Sequence, residues 1–72
     1  MTREYLVVYE SAAQNISAYV PDLPGCVSTG ATMDEAKRNI REAIEGHISV
    51  MRECGEPIPE PTSRAEAMLV SA

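Results

Sequence analysis

The sequence predicts an α+β fold: a two-layer β-β-β-α-β arrangement with an antiparallel sheet and one long helix packed on one of its faces. Three observations carry this. The first 30 residues hold three β-like runs separated by short polar or proline–glycine breaks. A single helical stripe of apolar residues then runs from Ala36 to Met51. A proline-alternating segment follows and leads to a last apolar run, Ala67-Met68-Leu69-Val70.

Residues 3–10, Arg-Glu-Tyr-Leu-Val-Val-Tyr-Glu, are rich in aromatic and β-branched residues and read as the first strand. Alternation puts Tyr5, Val7 and Tyr9 on one face and Leu6 and Val8 on the other. The plainly apolar Leu6 and Val8 side is assigned to the core, which leaves the tyrosines facing away from the helix. Ser11-Ala12-Ala13-Gln14-Asn15 reads as a five-residue hairpin loop. Residues 16–20 form the second strand, with Ile16, Ala18 and Val20 inward and Ser17 and Tyr19 outward. Pro21-Asp22-Leu23-Pro24-Gly25 then breaks the ladder, because proline lacks an amide donor and glycine accepts turn geometry. Leu23 inside that loop is expected to anchor on the core. Residues 26–29 make a short third strand, ended by Gly30.

The helix has signals at both ends. Thr32-Met33-Asp34-Glu35 is a capping box: Thr32 can accept from the Glu35 amide while Glu35 reaches back to Thr32. Ala36, Ile40, Ala43, Ile44, His47, Ile48 and Met51 share one face. Gly55 suits the left-handed position after Cys54, and Pro57 forbids resumption. Pro57-Ile58-Pro59-Glu60-Pro61 should run extended, residues 62–66 could hold a turn or a short helical start, and residues 67–70 should return as a final strand beside the first. The expected core is Leu6, Val8, Ile16, Ala18, Val20, Leu23, Ile40, Ile44, Ile48 and Leu69.

Seventy-two residues make a single domain, residues 1–72, and one too small to bury much of its surface alone, so a homodimer or higher homo-oligomer is expected. The net charge of −5, from 6 basic and 11 acidic residues, argues against general nucleic-acid binding, which needs clustered Lys and Arg. No apolar run approaches a membrane span and no secretory leader is evident, so a cytoplasmic location is expected. Cys26 and Cys54 fit no zinc spacing and read as reduced thiols, Cys26 as a small buried hydrophobe. One histidine, His47, sits at the edge of the helical stripe. Glu4, Glu10 and Asp22 lie at strand ends or in a loop, not in the converging cluster that a two-metal nuclease requires. No phosphate-binding glycine loop is present. No catalytic residue, metal or cofactor is therefore assigned, and the chain is expected not to be an enzyme. A contact surface is expected instead, built from Tyr5, Tyr9 and Tyr19 on the uncovered sheet face with Glu10 and Asp22 at its ends, since tyrosine is enriched at interfaces.

Three segments together resemble the N-terminal domain of the HicB-like antitoxin family. They are residues 5–10 followed by Ile-Ser-Ala-Tyr-Val-Pro-Asp-Leu-Pro-Gly-Cys to Cys26, Thr-Gly-Ala-Thr-Met-Asp-Glu-Ala from Thr29 leading to Ile40-Arg-Glu-Ala-Ile44, and Gly-Glu-Pro-Ile-Pro-Glu-Pro from Gly55. The resemblance spans about residues 3–70. It implies a degenerate ribonuclease-H-like fold without catalytic carboxylates. It also implies a role in neutralising a small, basic, mRNA-cleaving HicA-type toxin by occluding its RNA-binding surface. Many family members continue into a DNA-binding domain. These 72 residues hold none, so no direct DNA binding is expected of them. The competing reading is an orphan regulatory domain that binds RNA or another protein without a toxin partner.

Overall fold

The computed structural model describes residues 2–72. Strands β1 (Val8–Ser11), β2 (Ile16–Tyr19) and β3 (Val27–Gly30) form an antiparallel sheet in the order β1-β2-β3. Helix α1 (Met33–Glu53) crosses one face of it, over β3 and β2 and not over β1. The α+β class and the order of these four elements match the sequence reading.

The β1–β2 hairpin closes around residues 12–15, with the Ala12 amide donating to the Asn15 carbonyl at 2.8 Å. Ser11 therefore belongs to the ladder, opposite Ile16, and Tyr9 stands opposite Ala18. This loop is one residue shorter than the expected one, and a one-residue change of register turns a strand over. Ala18 and Val20 are buried as expected, but Tyr5, Val7 and Tyr9 are the β1-side residues that pack against them. Leu6 and Val8 are only half-buried and stand outside that cluster. The outward placement of Tyr5 and Tyr9 is thus corrected: they are core-side residues.

The break between β2 and β3 is held by its own backbone. The Val20 amide donates to the Cys26 carbonyl at 3.1 Å, and the Cys26 amide donates to the Leu23 carbonyl at 3.0 Å. Leu23 is completely buried, the anchor its setting between two prolines suggested. Gly25, at φ 83°, takes the left-handed conformation that the turn requires.

Thr32 caps α1, its Oγ1 accepting from the Glu35 amide at 3.2 Å. The reciprocal bond reaches one residue further than expected, from the Ala31 amide to Glu35 Oε1 at 3.1 Å. At the other end the Gly55 amide donates to the Arg52 carbonyl and the Glu56 amide to the Met51 carbonyl, a Schellman motif with Gly55 at φ 70°. Burial along the stripe falls toward the C-terminus. Ala36 and Ile40 are buried, whereas Ala43, Ile44, His47, Ile48 and Met51 are half-buried. Length explains the gradient: 21 helical residues span about 31 Å, while four strand residues span about 13 Å. The second half of the helix overhangs the sheet.

Where the helix meets β3, contact is close. A β-carbon at Gly30 would stand 2.8 Å from Ala36 Cα and nearer still to the Ala36 amide nitrogen. Asn39 Nδ2 donates to the Thr29 carbonyl at 2.8 Å and ties the next turn to the same strand.

After α1 the proline segment straps the open end of the core. Arg3 Nη1 donates to the Ile58 carbonyl at 3.1 Å, and Tyr5 Oη donates to the Pro59 carbonyl at 2.6 Å. Beyond Ser63 no hydrogen bond joins the segment to the rest of the described chain, and residues 67–70 form no strand. The final strand and the core position of Leu69 are therefore corrected: Met68, Leu69 and Val70 are 74%, 103% and 78% exposed. The radius of gyration, 13.9 Å, exceeds the about 11 Å of a compact chain of this length because this tail projects.

The close approach at Gly30 makes one substitution decisive. Gly30→Ala should push α1 off β3 and destabilise the fold by about 1–3 kcal/mol, read as a lower urea midpoint. An unchanged midpoint would mean the helix is not held at this spacing.

Candidate functional site

The sheet face opposite α1 is covered by no helix or strand among the described residues. Two rows cross it. Val8, Tyr19 and Val27 align in one row, and Glu10, Ser17 and Thr29 in the next. Tyr19 is 38% and Val27 66% exposed, so an apolar strip lies open beside a polar one. β-Branched residues and tyrosine stand there because the pleat sends every second side chain outward. An open apolar strip beside a polar one is suited to contact.

The five residues assigned to a contact surface from the sequence do not converge. Glu10 and Tyr19 lie on this open face. Tyr9 packs against the core from the helix side. Tyr5 does the same, and its hydroxyl is committed to Pro59. Asp22 is committed as well. Its Oδ2 accepts from the Thr62 and Ser63 amides at 3.0 and 2.9 Å, and its Oδ1 accepts from their hydroxyls at 3.1 and 2.9 Å. The Ser63 amide is the main reason its carboxyl is held below the usual range, with partial desolvation opposing. Val8 and Val27 were missed as surface residues. No local signal marks Val8: only the hairpin register, which pairs Tyr9 and not Val8 with inward Ala18, turns it outward.

Neither cysteine is set up for catalysis. Cys26 is buried, and desolvation pushes its thiol up. Cys54 is exposed at the C-cap of α1, the negative end of the helix dipole. Among the described residues no group of three or more His, Cys, Asp or Glu side chains could hold a metal ion. No described helix is long and apolar enough to cross a membrane.

A second surface feature lies on the helix side. Because α1 sits over β2 and β3, a groove of about 1100 Å³ opens between it and the outer side of β1. Val7, Tyr9, Ile40, Ile44 and Ile48 supply its apolar lining.

Comparison with known proteins gives a consistent picture. A family model described as HicB-like antitoxin of bacterial toxin-antitoxin system matches residues 5–70. A 14.9 kDa protein from the rep-hol intergenic region of Haemophilus phage HP1 is 41% identical over 56 residues, which cover 78% of this chain and 42% of that protein. The chain thus spans less than half the length of the phage relative. A UPF0150 protein of Thermoplasma acidophilum is 43% identical over 53 residues, 74% of each chain. A chain of the solved HicA3 and HicB3 toxin-antitoxin complex superposes with a TM-score of 0.72 and 28% identity, covering 83% of this chain and 70% of that one.

Two measurements check the side-chain assignments. In the folded protein at neutral pH, iodoacetamide should modify Cys54 and spare Cys26 until denaturant is added; mass spectrometry of the fragments reads this directly. Asp22 has a lowered carboxyl, so its stabilising contribution is complete above the ordinary aspartate range and disappears as pH falls through the lowered value. Hydrogen exchange at the Thr62 and Ser63 amides should therefore quicken in strong acid, and Asp22→Ala should produce the same loss of protection at neutral pH.

Proposed function

The chain belongs to the HicB-like antitoxin family, and on that premise we propose that it is a non-enzymatic binding module that neutralises a small HicA-like, RNA-cleaving toxin by covering the surface the toxin uses for RNA. The observation that carries the reading is the superposition on a chain of the HicA3 and HicB3 complex over 83% of this chain. The molecule's own chemistry supports it. The open face offers Val8, Tyr19 and Val27 as a desolvatable strip, the kind of apolar centre on which binding energy concentrates. Glu10 and Thr29 border it with polar groups. The chain carries −5, so a basic, RNA-binding partner is drawn to it over several ångströms before contact. Occupying the partner's cationic surface requires no catalytic group.

Of the residues first assigned to contact, Glu10 and Tyr19 keep that role in this reading, joined by Val8 and Val27. Tyr5, Tyr9 and Asp22 act by holding the scaffold.

The test is a calorimetric titration of the chain with a purified HicA-like toxin, alongside an RNA-cleavage assay. Wild-type chain should bind and suppress cleavage at a stoichiometric ratio. Tyr19→Ala combined with Glu10→Lys should weaken the complex by roughly 30-fold or more, the scale of losing an interfacial tyrosine. The urea midpoint should barely change, since both side chains are exposed. Unaltered affinity would remove the open face as the contact surface, and no complex at micromolar concentrations would remove the toxin reading itself.

A further inference from the structure

The groove beside β1 has a charge that runs against the rest of the molecule. Five of the six Lys and Arg residues line it (Arg3, Lys37, Arg38, Arg41 and Arg52), against two of the eleven carboxylates, Glu4 and Glu45. Its lining balance is thus +3, or +2 once Glu60, which pairs with Arg3 at 3.3 Å, is set against it, in a chain whose total is −5. Its lining is apolar, with Ile44 and Ile48 half-buried on the overhanging part of α1. Along one side run Thr2 to Tyr5 and Val7, in the segment leading into β1, and Tyr9 of β1, whose outer edge pairs with no other strand. An edge of free amides and carbonyls beside an apolar trough is a strand-addition site.

The same chain carries a segment of matching chemistry. Residues 65–72 hold one carboxylate, Glu66, and no cation, and Met68, Leu69 and Val70 form a run exposed at 74%, 103% and 78%. In an extended conformation Met68 and Val70 point to one side and Leu69 to the other, the alternation of a strand with one face in a trough. The segment does not lie in its own groove. Asp22 grips Thr62 and Ser63 at the turn between β2 and β3, and the tail leaves the body from there.

We propose that the groove of one copy receives residues 65–71 of a second copy, which add as a strand to the outer edge of β1, so that two chains exchange their tails reciprocally. Charge complementarity selects the occupant: the groove is the one basic surface of an acidic chain, and outside it the chain carries nine carboxylates against a single cation, Arg64. Two-fold symmetry makes the exchange self-consistent, because each copy then gives one tail and receives one. The exchange also buries the exposed tail residues and covers the overhanging helix stripe, two of the apolar surfaces that the chain leaves open. The proposal is independent of the toxin reading, which uses the opposite face of the sheet.

Sedimentation equilibrium on the full chain tests it. The expected mass is about 15.6 kDa, twice the 7.8 kDa chain. Met68→Lys combined with Val70→Lys, at residues 74% and 78% exposed in the single chain, should leave the circular dichroism unchanged and raise the dimer Kd roughly 100-fold or more. In a dimer mixed from labelled and unlabelled copies, methyl contacts should run between Met68 or Val70 of one chain and Ile44 or Ile48 of the other. A 7.8 kDa species at millimolar concentration overturns the proposal. So does a dimer indifferent to the Met68→Lys and Val70→Lys pair, or methyl contacts confined within one chain, which would mean the tail closes on its own groove. Loss of toxin binding by the Met68→Lys and Val70→Lys pair with the mass unaltered would assign the tail to the toxin instead. Failure of the toxin titration with the dimer intact would leave this proposal standing and remove only the other.

Discussion

The close approach of Ala36 to Gly30 decides where the helix lies. A hydrogen in place of a side chain on the last residue of β3 lets the first turns of α1 settle against that strand, and Asn39 fixes the next turn to Thr29. With the helix committed to the β3 side, it cannot also cover β1. The core that remains is narrow: Ala18, Val20, Leu23, Cys26 and Ile40. Small residues at its centre leave volume on the β1 side, and the rings of Tyr5 and Tyr9 take it up. A tyrosine suits that position because its ring packs inward while its hydroxyl reaches a polar partner, as Tyr5 does with Pro59.

From this placement follow two surfaces of different character. On the far side of the sheet, a flat strip of Val8, Tyr19 and Val27 stays open because the chain has only one helix and it lies on the other face. On the near side, the space between α1 and β1 becomes a trough whose walls collect nearly all the cations. The segregation has a local cause. Lys37, Arg38, Arg41 and Arg52 occupy the flank of α1 next to its apolar stripe, and that flank is the one turned toward β1. A helix centred on the sheet would have splayed the same residues into solvent on either side.

Much of this was legible in the residues. The Thr32 cap, the Gly55 stop, the first half of the helical stripe and the Leu23 anchor are local features whose signals lie within a few positions of the structures they make, and each stands where the pattern put it. The face of β1 was not, because it depends on the hairpin register. A five-residue loop pairs Glu10 with Ile16 and brings Val8 inward, whereas the four-residue loop pairs Ser11 with Ile16 and brings Tyr9 inward. Both loops suit Ser-Ala-Ala-Gln-Asn equally by composition, and the choice falls to packing against Ala18. The candidate site inherited that error: Tyr19 was placed correctly with β2, while Tyr5 and Tyr9 turned over with β1. Asp22 was legible as a loop acid, but its partners Thr62 and Ser63 lie forty residues away, and no local pattern announces them.

The last apolar run raises a different question, since its composition suits a strand and yet it forms none. Strand propensity reports how well side chains fit a pleated, half-buried surface, and residues 67–70 have no such surface within their own chain. The hydrogen bonds from Arg3 and Tyr5 to the proline strap, and those to Asp22, fix the direction in which the chain departs. A strand sequence held away from any sheet is in equilibrium with whatever edge can accept it, and the edge of β1 is bordered by the one surface with the opposite charge. The physical preference for pairing is therefore not lost in this fold: a strand sequence and a strand edge are both left unfilled within one chain, and the proposed exchange is the association that would fill them together.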